Sequence, residues 1–169
     1  MIVFAIDPGT TESAFALWDG VKIWDIDKVP NGEMFSHLRA YWGAGNTVLV
    51  IEQIRSYGNA MGQSTIDTVF WSGRFAEAWQ GEWFLLPRME VKKHLCHNHQ
   101  AKDSNVIQAL VDRFAYGQPN KGKGTKKNPG FFYGFRADIW QAFALAVTAY
   151  DMGVENERKR SARAMDDDG

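Results

Sequence analysis

Midway along the chain, Thr47–Ile51 reads TVLVI, an unbroken apolar and β-branched run that ends on a carboxylate, Glu52. A strand with one wet face alternates apolar and polar residues. A run with no wet face belongs to a strand covered on both sides, the usual condition in a parallel sheet. Parallel neighbours cannot be joined by a tight turn and need crossovers of about a dozen residues, usually helical. The flanks supply them. Gly32–Trp42 carries Met34, Phe35, Leu38, Tyr41 and Trp42 at helical spacing, and Ser64–Trp79 carries Ile66, Val69, Phe70, Gly73, Phe75 and Ala76. An α/β fold follows.

The N-terminal third adds a different kind of pairing. Ile2–Ile6 is a short apolar strand that ends at Asp7, ahead of the turn pair Pro8-Gly9. Ser13–Trp18 and Val21–Ile26 read as two more strands around the hairpin signal Asp19-Gly20. A fifth strand, Trp83–Leu86, closes at Pro87. Helices are predicted over Arg88–Leu95, Lys102–Phe114 and Ala137–Met152, the last almost wholly apolar, with a polar loop, Ser56–Gly62, after the fourth strand. Residues 117–130, GQPNKGKGTKKNPG, build no core and read as a mobile basic loop. The prediction is therefore one domain over residues 1–152, a mixed five-stranded sheet flanked by helices, and a charged, flexible tail over residues 153–169.

Composition narrows the classes. A chain of 169 residues, 45% hydrophobic with seven Trp, can bury a core without staples. Its one cysteine, Cys96, excludes an internal disulfide framework and any CxxC knuckle. His94, His97 and His99 surround it at spacings that match no common zinc finger. No stretch approaches ~18 apolar residues, so no membrane span is expected. The start, MIVFAIDPGTT, reads as a strand rather than a signal peptide, which points to the cytoplasm. The net charge of −1 hides a basic third: residues 87–136 hold ten Lys or Arg against three Asp or Glu. Such a segment either meets a polyanion or is an ordinary solvated surface.

Three carboxylates sit where chemistry is possible. Asp7 ends the first strand, Glu52 ends the fourth, and Asp138 falls in the first turn of the last helix. If the first and fourth strands are neighbours, Asp7 and Glu52 project from adjacent ends, and the last helix can bring Asp138 to them. Buried carboxylates repel unless cations lie between them. Oxygen-only ligands suit Mg²⁺ or Mn²⁺, and two such ions about 4 Å apart serve phosphodiester hydrolysis. Taken singly, each has a plainer reading: Asp7 as a turn residue, Glu52 as a strand-end charge, Asp138 as an acid complementing a helix dipole.

The segments FAIDPGTT, VLVIEQI and RADIWQAFALAVTAYD resemble, in order, the three acidic motifs of RuvC-type Holliday-junction resolvases, the phage-borne members above all. VKKHLCHNHQAKDSNVIQALVDRF and KGTKKNPGFFYGF are similar to that family's intervening segments. The resemblance spans residues 1–152. It implies a ribonuclease H-like fold, a bacterial cytoplasmic setting, a homodimer, two Mg²⁺ per site and paired nicks across a four-way DNA junction. Two positions depart from it. Gln141 stands where the family commonly has a second Asp, and Arg55 stands where it has an aromatic wedge, leaving Tyr57 nearby to stack on a base.

On this reading the catalytic set is Asp7, Glu52, Asp138, Gln141 and Lys102, with Asp7, Glu52 and Asp138 as metal ligands. Arg55, Tyr57, Lys92, Lys93, Lys121, Lys123, Lys126 and Lys127 are the candidate DNA contacts. Lysines among Gly and Pro suit backbone phosphates rather than base edges. Rival readings are a nuclease for other branched DNA, a non-catalytic junction-binding protein, and a phosphate-binding ATPase-like domain through DPGTT. The last needs two such loops clamping a nucleotide, and this chain has one.

Overall fold

A computed structural model describes residues 1–167, with side-chain surroundings through Gly153 and at Asn156. Strand β1 (Ile2–Asp7) pairs antiparallel with β2 (Glu12–Trp18), which pairs antiparallel with β3 (Ile23–Pro30). On its other side β1 pairs parallel with β4 (Thr47–Gln53), and β4 pairs parallel with β5 (Trp83–Pro87). The sheet order is β3-β2-β1-β4-β5, mixed as the sequence predicts.

Alternation along the central strands sorts two cores. Phe4, Ile6, Phe15, Leu17, Leu49 and Ile51 pack with Met34 and Leu38 of α1 (Asn31–Tyr41) and Phe75 of α2 (Gln63–Ala78). Val3, Ala5, Ala14, Ala16, Val48 and Val50 face the other way, onto α5 (Ile139–Asp167). Helices α3 (Arg88–Cys96) and α4 (Asp103–Phe114) contribute Val91, Val106 and Leu110 to that second core. A fully buried Phe contributes about 1.5–3 kcal/mol over an exposed one. Phe132, Phe135 and Phe143 are all buried there, with Trp140 tilted 4.8 Å from Phe132.

Several boundaries differ from expectation. β3 begins at Ile23 and runs to Pro30, past the expected end at Ile26, because Glu12↔Pro30 pairing carries Asp25, Asp27 and Lys28 into the ladder against their weak strand preference. β4 runs to Gln53, so Glu52 lies inside the strand. α5 starts at Ile139; Asp138 precedes it, and its carbonyl accepts from Gln141 and Ala142 at 3.0 Å. α5 also continues to Asp167, where a tail was expected from residue 153; residues 168–169 lie outside the described residues.

The segment 117–130, expected to be a mobile loop, carries backbone hydrogen bonds of its own. It folds back through Gly130 N–H to the Lys123 carbonyl at 3.0 Å, Phe132 N–H to the Gly122 carbonyl at 3.1 Å, and reciprocal Thr125–Asn128 bonds. A Cβ on Gly130 would meet the Gly122 carbonyl oxygen at 2.2 Å, so this close return needs glycine.

Candidate active site

The register decides the site. Ile6↔Ile51 is the last paired step of β1 and β4, and the next residues along are Asp7 and Glu52. Both share parity with the residues facing α5 (Val3, Ala5; Val48, Val50), so both carboxylates emerge on that side at the carboxyl ends of parallel strands. Together with Pro8, Gly9, Thr10, Ile54, Ser64, Thr65, Thr68 and Arg88 they line an open groove of about 410 Å³.

The turn after Asp7 is held by a buried network. Gly9 N–H donates to Ser13 Oγ at 3.1 Å, Ser13 Oγ–H to Asn31 Oδ1 at 2.6 Å, and Asn31 Nδ2 to the Gly9 carbonyl at 2.9 Å. A Cβ at Gly9 would lie 2.2 Å from the Glu12 carbonyl oxygen, so no larger residue fits. Ser13 and Asn31 therefore position Asp7, and sequence reasoning passes over both. A buried polar residue inside an apolar strand, as Ser13 is in β2, was the available signal.

Burial, then the charge of Glu52, holds the Asp7 carboxyl well above the usual carboxylate range, and Asp138 adds to that push while Arg88 and Lys28 oppose it. Glu52 is 7% exposed, and burial raises its carboxyl too, against the pull of Arg88. Arg88 Nη1 lies 3.5 Å from Glu52 Oε1 and Nη2 2.8 Å from Asp103 Oδ2. Asp138 is more open, half exposed, and accepts from Lys28 Nζ at 2.6 Å. The residue before it, Ala137, has φ +44°, a left-handed strain of about 1–2 kcal/mol for a residue with a Cβ. Gln141, one turn into α5, is buried at 9% exposure.

The donor set fits a hard divalent ion in part. Asp7 and Glu52 are oxygen ligands whose mutual repulsion such an ion would relieve. Yet among the described residues no three carboxylate, imidazole or thiol groups lie close enough to enclose a metal. Asp138 is held by Lys28, so it would join only after leaving that partner.

The other expected residues divide. Lys102 is exposed at the start of α4, where its N–H donates to Asn105 Oδ1 at 2.9 Å; the cation that reaches Glu52 is Arg88. Lys92 Nζ is 3.8 Å from Asp103 Oδ1, whereas Lys93, one residue round the helix, is exposed. Arg55 Nε donates to Gln53 Oε1 at 2.8 Å, and Tyr57 stands 66% exposed in the loop after β4. Lys121, Lys126 and Lys127 are exposed and Lys123 is half-buried. Lys121 itself has φ +55°, following Asn120 at +50°. His94 Nε2 lies 2.7 Å from Asp151 Oδ2, which Arg113 also grips at 2.6 Å; the three tie α3 and α4 to α5.

No family model and no curated protein matches this sequence. Solved structures do. The RuvC structure of Thermus thermophilus superposes with a TM-score of 0.59 over 90% of this chain and 97% of that one, at 20% identity. T. thermophilus RuvC in complex with Holliday junction substrate gives 0.62 over 91% and 96%, at 16% identity. The chain has a RuvC-like fold. The ribonuclease H-like class expected from the motifs is thus met across nearly the whole chain, in a fold whose strand ends carry Asp7 and Glu52. Among the described residues of this RuvC-like chain, no helix is long and apolar enough to cross a membrane.

Proposed function

We propose that this chain is a metal-dependent, structure-selective endodeoxyribonuclease that nicks four-way DNA junctions in a symmetric pair of cuts. The observation that carries the reading is the pair Asp7 and Glu52, side by side on adjacent parallel strands at an open groove. A similar solved structure, that of T. thermophilus RuvC, is a complex with Holliday junction substrate, which supports branched DNA as the partner. Asp7 and Glu52, joined by Asp138 once released from Lys28, would hold Mg²⁺ or Mn²⁺, which activates water and stabilises the leaving oxygen in this chemistry. Gln141 would orient a water, since its amide both donates and accepts.

A second copy of the chain completes the proposal, because two symmetric cuts match two sites related by a two-fold axis. On α2, Phe75 is core, as is Trp79 just past its end, while Phe70 is 63% exposed beside Ile66 and Val69. Edge strand β5 adds Trp83 and Leu85 on the α2 side, beside Val69, each two-fifths exposed or more. An uncovered apolar strand edge of this kind invites a partner.

The test is nicking of end-labelled four-way, three-way, flap and linear DNA in Mg²⁺. Paired nicks at symmetric positions of the four-way junction are expected, with linear duplex left intact and no ATP bound. Cleavage of three-way or flap DNA in preference would move the substrate to other branched DNA. Tight junction binding without cleavage in Mg²⁺ or Mn²⁺ would favour a non-catalytic binding protein, a reading that Asp138's ion pair and the neutral Gln141 keep open.

A further inference from the structure

Arg88 begins α3 directly after Pro87, and Pro87 pairs with Gln53 at the end of β4. That places its guanidinium at the mouth of the groove, beside Glu52. Its two partners hold it unequally. The 2.8 Å contact from Nη2 to Asp103 is a close ion pair, whereas the 3.5 Å contact from Nη1 to Glu52 is a looser one. Asp103 anchors the side chain, and Glu52 only attracts it.

A guanidinium carries five N–H donors, and two carboxylate contacts cannot use them all. The side chain is 36% exposed and is the one cation among the described residues lining the groove, which Ser64, Thr65 and Thr68 of α2 also line. Partial burial disfavours its charge, but Glu52 and Asp103 outweigh that and keep it protonated.

We propose that Arg88 is a phosphate-binding residue: tethered by Asp103, it exchanges Glu52 for a non-bridging oxygen of the phosphodiester entering the groove. The proposal rests on the nuclease reading of the same groove. With Glu52 engaged by a divalent ion, Arg88 would lose its looser partner, and the Asp103 tether would keep the freed donors at the groove. A planar fork matches two phosphate oxygens, which a lysine at this position does not.

The alternative duty is merely to neutralise Glu52, and a salt series separates the two. Junction binding is measured in Mg²⁺ in an Asp7→Asn background, where the DNA stays uncut, with thermal melting to confirm folding. A protein that neutralises one phosphate fewer has a log–log salt slope shallower by ~0.9, so Arg88→Ala should flatten it by about that amount. In the otherwise native chain, Arg88→Ala should slow single-turnover cleavage by roughly 100-fold or more, as loss of one preorganised donor does, and excess Mn²⁺ should not restore it. Arg88→Lys should keep the slope but recover little of the rate, and Asp103→Asn should slow cleavage less than Arg88→Ala while keeping the slope. An unchanged slope with tighter Mn²⁺ binding and a rate rescued by Mn²⁺ would overturn the proposal and leave the nuclease reading standing. A chain that binds no branched DNA at all would overturn both.

Discussion

Lys28 Nζ lies 2.6 Å from Asp138 Oδ2, joining β3 to the turn ahead of α5 across 110 residues of sequence. One residue earlier, Asp27 accepts from Arg136 at 3.3 Å, so two adjacent ion pairs set that turn. The hydrogen bond to Asp138 raises the Lys28 ammonium, against partial burial, and keeps it charged. Lys28 therefore competes with any cation for Asp138. Lys28→Met should tighten Mn²⁺ binding without DNA by roughly 2–5-fold, the value of a largely solvated ion pair. Calorimetric titrations that coincide would show that Lys28 does not compete.

Asp7 and Glu52 both titrate above the ordinary carboxylate range, chiefly through burial. The folded state thus binds their protons more tightly than the unfolded chain. Their contribution to stability is present at acid pH, below the unfolded values, and is lost as pH rises through the raised ones. Asp7→Asn should melt higher than wild type at neutral pH without metal, on the order of 1 kcal/mol or about 2–4 °C, and the gap should close towards acid. Nicking in Mg²⁺ should fall by orders of magnitude. A melting gap that widens on acidification, or normal nicking, would contradict the assignment.

Gln141 lies in the first turn of α5, and its N–H donates to the carbonyl of Asp138, just ahead of the helix, at 3.0 Å. Placing a carboxylate there adds a ligand charge to a buried position. Gln141→Asp should bind Mn²⁺ more tightly without DNA, need less Mg²⁺ for cleavage, and melt lower when metal-free. Identical titrations for the two proteins would mean that residue 141 does not face the metals.

The four lysines of the 117–130 segment stand on a hydrogen-bonded scaffold, with Lys121 held in a left-handed conformation. Replacing Lys121, Lys123, Lys126 and Lys127 by Ala should weaken binding to all DNA alike and flatten the salt slope by up to ~0.9 for each phosphate no longer neutralised. An unchanged slope would make the segment a solubilising connection.

Phe70 is 63% exposed on α2, with Ile66 and Val69 also exposed on that helix. Phe70→Asp should shift the protein from dimer to monomer in sedimentation at micromolar concentration while leaving the melting curve of the monomer little changed. A wild type that sediments as a monomer with and without junction would remove the dimer from the proposal.

The sequence by itself determined the elements and the two carboxylates at their ends. TVLVI is buried on both faces because neighbouring residues leave no polar face, and the apolar stretch from Trp140 to Val147 can only be a helix inside the protein. The positions of Asp7, after the run Ile2–Ile6, and Glu52, after TVLVI, were legible from the same local pattern. Tertiary structure alone decided who neutralises them. Lys28, Arg88, Asp103 and the Ser13–Asn31 bond carry no periodicity, and their partners lie far along the chain. Strand order β3-β2-β1-β4-β5 brings them together. It also drew Asp27 and Lys28 into β3, placed Asp138 before α5 rather than within it, and set Arg88 beside Glu52. Hydrophobic period is a property of adjacent residues, whereas an ion pair is a property of two positions that meet only when the sheet closes.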